Sequence, residues 1–187
     1  TSTVSGDAKN GFTITNSHTP ETTQVSGTKT WNDGNNQDGK RPGSITVNLF
    51  ANGTKIDSKK VTAEDDWKYR FTNLPKYAGG QLISYTVTED GVEDYQTTIS
   101  GYDITNSYTP GKTSITVTKA WSDNNDQDGK RPQDIKVQLY AGEDKCGEEV
   151  TLNTGNNWSY IWTGLNEKKA GTVISYSVKE VNVPEGY

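Results

Sequence analysis

Hydrophobic and polar residues alternate along the chain in short runs, which are separated by glycine, proline, asparagine and aspartate. Side chains of a β-strand point alternately to opposite faces, so this pattern predicts strands. In the first half of the chain the runs lie at 24–32, 44–51, 54–61, 66–73, 81–89, 93–99 and 102–109. The pair Asn52-Gly53 is typical of a tight hairpin turn. Seven short strands without a convincing helical period favour an all-β sandwich.

The chain contains an internal repeat. Two motifs recur with an offset of 90 residues, and the offset becomes 91 further downstream. The matching segments, first copy and then second, are Lys29-Thr30-Trp31 and Lys119-Ala120-Trp121, residues 37–42 and 127–132, and Trp67 and Trp158. We expect the one extra residue in the turn around 141–149. The repeat predicts two tandem domains.

The strands that close the first copy have no counterpart after the second copy. Their counterpart stands at the front, because residues 1–6 and 12–20 read closely like 96–101 and 102–110. We therefore expect three parts. Residues 1–20 are the final strands of a preceding (or permuted second) domain, residues 21–110 form domain one, and residues 111–187 form domain two, which lacks its last strands in sequence. The chain would then be one unit of a tandem array.

Composition excludes several classes of function. The 187 residues carry a net charge of −5, with 19 Lys and Arg against 24 Asp and Glu, which offers no basic surface to nucleic acid or an anionic membrane. His18 is the only histidine and Cys146 the only cysteine, so multi-histidine metal sites and an intrachain disulfide are excluded. Loops 33–39 and 123–129 resemble a calcium loop, but the glycine falls one place late and no glutamate closes it. We expect neither a metal nor a cofactor.

Three polar residues share a strand face with apolar neighbours in domain one. Lys29 lies in line with Trp31, Glu89 in line with Val87, and Asn106 in line with Ile104. The same alternation recurs at Lys119 and Glu180 in domain two and at Asn16 in the leading segment. The pattern predicts that a Lys, a Glu and an Asn point into the interior of each domain.

Burial of such groups has two explanations. One is structural: a buried salt bridge with an asparagine hydrogen bond, or strand-end residues whose tips reach water. The other is chemical. A desolvated lysine loses its proton easily and becomes a nucleophile, a desolvated glutamate can carry protons, and a carboxamide is an electrophile with ammonia as its leaving group. The product would be a Lys–Asn isopeptide bond.

Four motifs resemble the B-type repeats of Gram-positive collagen adhesins, the CnaB family. These motifs are the Lys-x-Trp opening, the Gln-Asp-Gly-Lys-Arg-Pro loop, the Tyr-Thr-Val-Thr-Glu strand and the Ile-Thr-Asn-Ser-Tyr-Thr-Pro ending. The resemblance covers nearly the whole chain. It implies two tandem inverse immunoglobulin-like β-sandwich domains, which form intramolecular Lys–Asn isopeptide bonds with the help of an acidic residue.

The resemblance assigns roles to the polar residues. In domain one it implies a bond between Lys29 and Asn106 with Glu89 as the catalytic acid. In domain two it implies Lys119 with Glu180 as the acid, and only Asn16 from the leading segment, of the same or a neighbouring chain, can take the asparagine role.

Two function classes follow. The first is a stalk or spacer of a cell-wall-anchored surface adhesin, extracellular and on a Gram-positive cell wall, which holds a separate head domain that binds a host matrix protein. The alternative is an adhesive module that itself binds a host matrix protein or glycan. An enzyme acting on an external substrate is disfavoured, because the only reactive side chains that the sequence predicts are used up when they bond to each other. The expected partners are neighbouring repeats, with head-to-tail self-association through residues 1–19.

Overall fold

The structure is a computed structural model that describes all residues, Thr1–Tyr187. It consists of strands and turns, with two 3₁₀ segments at Ala63–Asp65 and Thr154–Asn156 and no α-helix. No helix that could cross a membrane is present. The chain divides into two compact units. Unit 1 comprises Thr1–Asn32 and Pro42–Ser107, and unit 2 comprises Asp33–Arg41 and Tyr108–Tyr187.

Eleven strands belong to unit 1. They are β1 (Ser2–Asp7), β2 (Gly11–Asn16), β3 (Thr22–Asn32), β4 (Ser44–Ala51), β5 (Thr54–Thr62), β6 (Lys68–Pro75), β7 (Tyr77–Ala78), β8 (Gln81–Leu82), β9 (Tyr85–Glu89), β10 (Gln96–Ser100) and β11 (Asp103–Ser107). Eight strands belong to unit 2. They are β12 (Lys112–Thr118), β13 (Asp134–Ala141), β14 (Asp144–Lys145), β15 (Val150–Asn153), β16 (Ser159–Asn166), β17 (Lys168–Lys169), β18 (Thr172–Val173) and β19 (Tyr176–Glu180).

Two sheets of unit 1 enclose its core. One sheet has the strand order β10-β11-β3-β6 and the other the order β5-β4-β9. Apolar side chains that alternate along these strands fill the space between the sheets, among them Val25, Phe71, Ile104, Val47 and Leu49. The closing strand β11 runs parallel to the opening strand β3. The first and last strands of the sandwich are therefore neighbours, although they lie far apart in sequence.

Gly27 on β3 allows the close approach of β11. A Cβ at this position would lie 2.0 Å from the carbonyl oxygen of Tyr102, a distance that no side chain tolerates. The same carbonyl accepts a hydrogen bond from the buried Tyr69 hydroxyl. Desolvation raises the pKa of Tyr69 to about 12, so this hydroxyl remains a donor at physiological pH. The contact fixes the start of β11 against the sheet.

Unit 2 contains the same arrangement without the closing strands. β12 pairs with β16, and β13 pairs with β14, β15 and β19. Its small core is built from Ile135, Val137, Leu139 and Leu152. The second edge of β12, which corresponds to the edge of β3 that β11 covers, has no paired strand. The fold class is all-β with tandem sandwich domains, as the sequence predicts.

Several predicted strands have different bounds in the structure. The run 66–73 begins as a strand only at Lys68, because Asp66 and Trp67 adopt left-handed φ angles of 52° and 56° in a turn. The run 81–89 is divided, since Gln81–Leu82 pairs with Tyr77–Ala78 in a small hairpin. The extra residue of the second copy falls where predicted. The single strand β5 becomes two strands, β14 and β15, separated by residues 146–149.

Candidate functional site

Lys29 lies in the core of unit 1. It stands on β3 opposite Ile104 of β11, and the residue is 2% exposed. Its Nζ atom lies over the Trp31 ring, 4.4 Å from the centroid. Burial lowers the pKa of Lys29, and the ion pair with Glu89 opposes this shift. Desolvation therefore brings the amine closer to its neutral, nucleophilic form.

Glu89 faces Lys29 from the other sheet. It ends strand β9, opposite Val47 of β4. Its Oε1 atom lies 2.8 Å from Lys29 Nζ, and both side chains are fully inaccessible to solvent. Neither of these two atoms has a further hydrogen-bond partner. The carboxyl group is therefore in direct contact with the amine, in a region that water does not reach.

Asn106 brings an unsatisfied carboxamide into the same interior. It lies on β11 opposite Trp31 and is 0% exposed. Since Lys29 pairs with Ile104, Asn106 lies two residues further along β11 and is the diagonal neighbour of Lys29 on the same face. Neither Nδ2 nor Oδ1 has a hydrogen-bond partner. Each such orphaned atom costs about 1–3 kcal/mol, so its retention needs an explanation.

Thr97 is a site residue that the sequence analysis missed. It lies on β10 directly opposite Asn106, and its hydroxyl donates a hydrogen bond of 3.0 Å to Glu89 Oε2. This bond occupies one carboxylate oxygen and leaves the other for Lys29. Alternation along β10 places Thr97 on the side of Asn106, but the run of two threonines gives no signal that favours Thr97 over Thr98.

Unit 2 holds a looser version of the same pair. Lys119 follows β12, and Glu180 on β19 lies opposite Val137, as Glu89 lies opposite Val47. Lys119 Nζ lies 3.1 Å from Glu180 Oε2, and the side chains are 20% and 21% exposed. The ammonium also lies 4.4 Å from the centroid of the Trp121 ring. The residue types and the strand register are the same as in unit 1, whereas the two side chains are less buried.

The structure does not bring Asn16 to this pair. Strands β1 and β2 form a two-stranded sheet of their own, and every residue of the two strands is exposed. Asn16 lies opposite Ser2 at the open end of this hairpin. Of the six residues predicted for the two sites, Lys29, Glu89 and Asn106 come together in unit 1. Lys119 and Glu180 come together in unit 2 without an asparagine.

The aspartate-rich loops hold arginine side chains. Asp33 accepts two hydrogen bonds from Arg41, at 2.7 and 3.0 Å, and Asp123 accepts two from Arg131, at 2.6 and 3.0 Å. The Arg131 guanidinium, together with Tyr187, holds the pKa of Asp123 well below its usual range. No group of three or more His, Cys, Asp or Glu side chains is placed to hold a metal ion. In each loop the first aspartate thus forms a two-hydrogen-bond ion pair with an arginine guanidinium, and this pair joins the two ends of the loop.

Comparisons with known proteins identify relatives along the whole chain. The chain is 53% identical over all 187 residues to a collagen adhesin of Staphylococcus aureus, of which it spans only 16%. The solved structure of two B repeat units of the collagen binding protein of S. aureus matches with a TM-score of 0.57. The identity is 52%, and the match covers 100% of this chain and 50% of that one. A single B repeat unit of the same protein is 55% identical over 89% of each chain, with a TM-score of 0.47.

A family model matches two segments of the chain. The Cna protein B-type domain covers residues 25–107 and 115–187, which together make up most of the sequence. These segments contain the buried Lys29–Glu89–Asn106 cluster and the Lys119–Glu180 pair. The family that the four motifs suggest is thus the family that the comparison finds. The chain belongs to the Cna protein B-type domain family and carries two copies of its domain in tandem.

Proposed function

We propose that this chain is a stalk segment of a bacterial surface adhesin, extracellular and attached to a Gram-positive cell wall, and that an isopeptide bond between Lys29 and Asn106 rigidifies it. One observation carries the proposal: a fully buried amine and carboxyl group are in contact in unit 1, and a buried carboxamide without a hydrogen-bond partner lies on the neighbouring strand, diagonal to the amine. The similarity of the chain to a collagen adhesin supports a location on the bacterial surface. The ligand-binding head and the wall anchor belong to other parts of the full-length protein.

The reaction is a single intramolecular acyl transfer. Neutral Lys29 Nζ attacks Cγ of Asn106, while the protonated carboxyl of Glu89 donates its proton to Oδ1. Glu89 then accepts a proton from the attacking nitrogen, passes it to the leaving nitrogen, and recovers its first proton from Oδ1 as the carbonyl re-forms. The Nζ–Cγ bond forms, the Cγ–Nδ2 bond breaks, and one molecule of ammonia leaves. Glu89 ends in its starting state, so it acts as a catalyst within one turnover.

The position of the bond explains its mechanical use. Lys29 lies near the start of the sandwich and Asn106 on its last strand, and β3 and β11 are parallel neighbours. Tension applied along the chain would pass from one strand to the other through the bond, and residues 30–105 would carry no load. A stalk built from such domains resists extension without a disulfide, which the chain cannot form with its single cysteine.

The intact mass of the purified chain tests the bond. We expect the mass to be lower than the sequence mass by one ammonia, and a tryptic map to contain a branched peptide that joins Lys29 to Asn106. Glu89→Ala should restore the full mass. The matched variant Glu180→Ala removes the equivalent carboxylate of unit 2 and should leave the Lys29–Asn106 bond of unit 1 intact.

A variant that fails to fold would also lose the bond, so Glu89→Gln, which keeps shape and volume, accompanies Glu89→Ala. A folded Glu89→Gln chain of full mass supports the role of the carboxyl group. A bond that forms in both variants would remove Glu89 from the reaction, and a full-mass unsubstituted chain would remove the bond itself.

A second candidate function is an adhesive module. It is favoured by the names of the relatives, which are a collagen adhesin and a collagen binding protein. Retention of this chain on immobilised collagen or another matrix protein distinguishes the two functions. A stalk should show no specific retention, whereas saturable binding by the chain alone would support the adhesive module.

A further inference from the structure

A crevice interrupts the outer face of the four-stranded sheet in unit 1. It has a volume of about 400 Å³, and its polar lining consists of Ser26 and Thr28 on β3, Lys68 and Arg70 on β6, and Asp103 on β11. The crevice lies where β3 changes partners, since residues 22–28 pair antiparallel with β6 and residues 29–32 pair parallel with β11. Small-molecule sites have volumes of about 300–1000 Å³. The change of partners therefore opens a depression large enough for a small ligand.

The charged groups of the crevice are available to a ligand. The Arg70 guanidinium has no ion-pair or hydrogen-bond partner within the chain. The Lys68 ammonium lies 3.8 Å from Asp66, and these side chains are 67% and 83% exposed, so the pair contributes little. Asp103 accepts the Thr28 N–H at Oδ1, over 2.8 Å, and its Oδ2 has no partner. A ligand therefore meets a guanidinium and an ammonium on one wall and a carboxylate oxygen on the other.

Hydroxyl groups line the floor between the two walls. In the antiparallel pairing of β3 with β6, Ser26 lies opposite Arg70 and Thr28 lies opposite Lys68. Residues that lie directly opposite each other have Cβ atoms about 4.5–5.5 Å apart, so each hydroxyl stands beside a cation. A hydroxyl both donates and accepts hydrogen bonds. The floor therefore fits a ligand that carries hydroxyl groups next to an anionic group.

We propose that this crevice binds a uronic-acid residue of a polysaccharide. The sugar carboxylate binds the Arg70 guanidinium, whose parallel N–H groups match its two oxygens, with Lys68 beside it. The ring hydroxyls donate to Asp103 Oδ2 and exchange hydrogen bonds with Ser26 and Thr28. Each unpaired polar side chain of the crevice then has a partner.

The charges of the crevice and of the whole chain disfavour more highly charged ligands. Asp103 places a negative charge opposite the two cations, which opposes a dense polyanion such as nucleic acid or a sulfated polysaccharide. The chain also carries a net charge of −5, so it attracts no polyanion by charge alone. A single carboxylate held by two parallel hydrogen bonds depends on local geometry instead.

A peptide strand added to the edge of β6 is also disfavoured. β6 is the last strand of its sheet, and such edges can accept a further strand. However, the Lys59 ammonium donates a hydrogen bond to the main-chain carbonyl of Arg70 and lies 5.4 Å from the centroid of the Phe71 ring. The lysine side chain therefore occupies the edge at which a peptide would pair.

The second copy of the domain lacks the two cations. With the offset of 91 residues, Lys68 corresponds to Ser159 and Arg70 corresponds to Ile161. Neither replacement carries a charge that could bind a carboxylate. The chain therefore offers one site of this kind, on unit 1, and unit 2 serves as an internal control.

Calorimetry and backbone amide NMR of the full chain with a hyaluronan hexasaccharide test the site. We expect saturable binding of one hexasaccharide per chain, with shifted amide signals of Gly27 and Thr28 and unchanged signals of β16. Arg70→Ala should weaken binding roughly ten- to hundredfold, the loss expected for a charged hydrogen bond. Arg70→Lys should restore only part of the affinity, because an ammonium lacks the planar fork. The matched control Lys60→Ala removes an exposed lysine outside the crevice and should leave binding unchanged.

Further oligosaccharides define the ligand class. A uronic-acid oligosaccharide from a Gram-positive cell wall, compared with hyaluronan, distinguishes the bacterial envelope from an animal matrix as the source, and saturable binding of either supports the proposal. Binding of neither overturns it. Equally tight binding of an uncharged chito-oligosaccharide or of a heparin hexasaccharide would also overturn it, because the carboxylate would then not be the group recognised.

The substitutions and the proposed isopeptide bond are checked in the same samples. Arg70 is exposed, so the variants should keep the amide spectrum of the folded chain, and unchanged affinity in a folded Arg70→Ala chain overturns the proposal. Intact mass reports the Lys29–Asn106 bond separately. Loss of ammonia without oligosaccharide binding rejects only the crevice site, and binding by a chain of full mass rejects only the bond.

Discussion

The two units place the same lysine–glutamate pair in different environments. In unit 1 the pair is separated by 2.8 Å and fully inaccessible, and in unit 2 it is separated by 3.1 Å and about one-fifth exposed. The tryptophan beside each lysine lies at the same distance of 4.4 Å. The strands that carry each pair also have equivalent registers. The environments differ because β10 and β11 cover only the first pair.

The same two residue types therefore occur in both units, and only their surroundings differ. Lysine and glutamate come from strands present in both units, but burial and the carboxamide come from the closing strands. Desolvation lowers the pKa of Lys29, and this shift is the condition for nucleophilic attack at physiological pH. The closing strands therefore supply both the electrophile and the dry environment.

The largest expected contrast between the units is mechanical. Single-molecule pulling on the full chain should extend unit 2 and leave unit 1 inextensible, because the Lys29–Asn106 bond bypasses the residues between them. Asn106→Ala should add a second extension of roughly 250 Å, since the released loop spans 77 residues at about 3.4 Å each. Asn16→Ala is the control and should leave unit 1 inextensible. Extension of unit 1 in the unsubstituted chain would contradict the load path.

A smaller contrast should appear in the pH dependence of stability. In Asn106→Ala no bond forms, and Lys29 keeps its lowered pKa in the folded chain and about 10.4 when unfolded. Between these two pKa values the unfolded chain binds more protons, so the unfolding free energy rises with pH. The slope is at most about 1.4 kcal/mol per pH unit. Below the folded pKa of Lys29 the destabilisation caused by its buried charge is fully present, and above the unfolded pKa it is absent.

Denaturant unfolding across the alkaline range measures this slope. The double variant Lys29→Met/Asn106→Ala should lose it, whereas Lys119→Met/Asn106→Ala should retain it, because only Lys29 is fully buried. Equal slopes in the two double variants would show that burial does not distinguish the two lysines.

The smallest expected effect concerns Thr97. Thr97→Val removes the hydrogen bond that orients the Glu89 carboxyl, a loss of about 1 kcal/mol, and should slow bond formation by roughly five-fold without preventing it. Intact mass at successive times after a pulse of cell-free synthesis follows the reaction. Thr98→Val changes the neighbouring exposed threonine and should leave the rate unchanged. A rate that is the same in both variants would remove Thr97 from the site.

Much of the fold could be read from local patterns. Alternation with a period of two located most strands, and the exact repeat of residues 37–42 at 127–132 predicted the tandem arrangement that the two matches of the family model show. The predicted burial of Lys29 and Asn106 is confirmed, because strand alternation and apolar neighbours determine which face a residue occupies. The Lys29–Asn106 and Lys119–Asn16 bonds stay predictions. The predicted bounds of the strands at 66–73 and 81–89 were wrong, since two left-handed turn residues and the small β7–β8 hairpin interrupt the alternation.

The sequence by itself determined the residue types, their faces and the two-fold repetition, since these depend on local periodicity and self-comparison. Only the tertiary structure decided which side chains meet. The parallel pairing of β3 with β11 makes Lys29 and Asn106 diagonal neighbours across 77 residues of chain, and the second sheet brings Glu89 to the amine. It also showed that Thr97 holds the carboxyl group and that the second pair remains partly exposed. Contacts between distant strands set distance and burial, and no local pattern encodes either quantity.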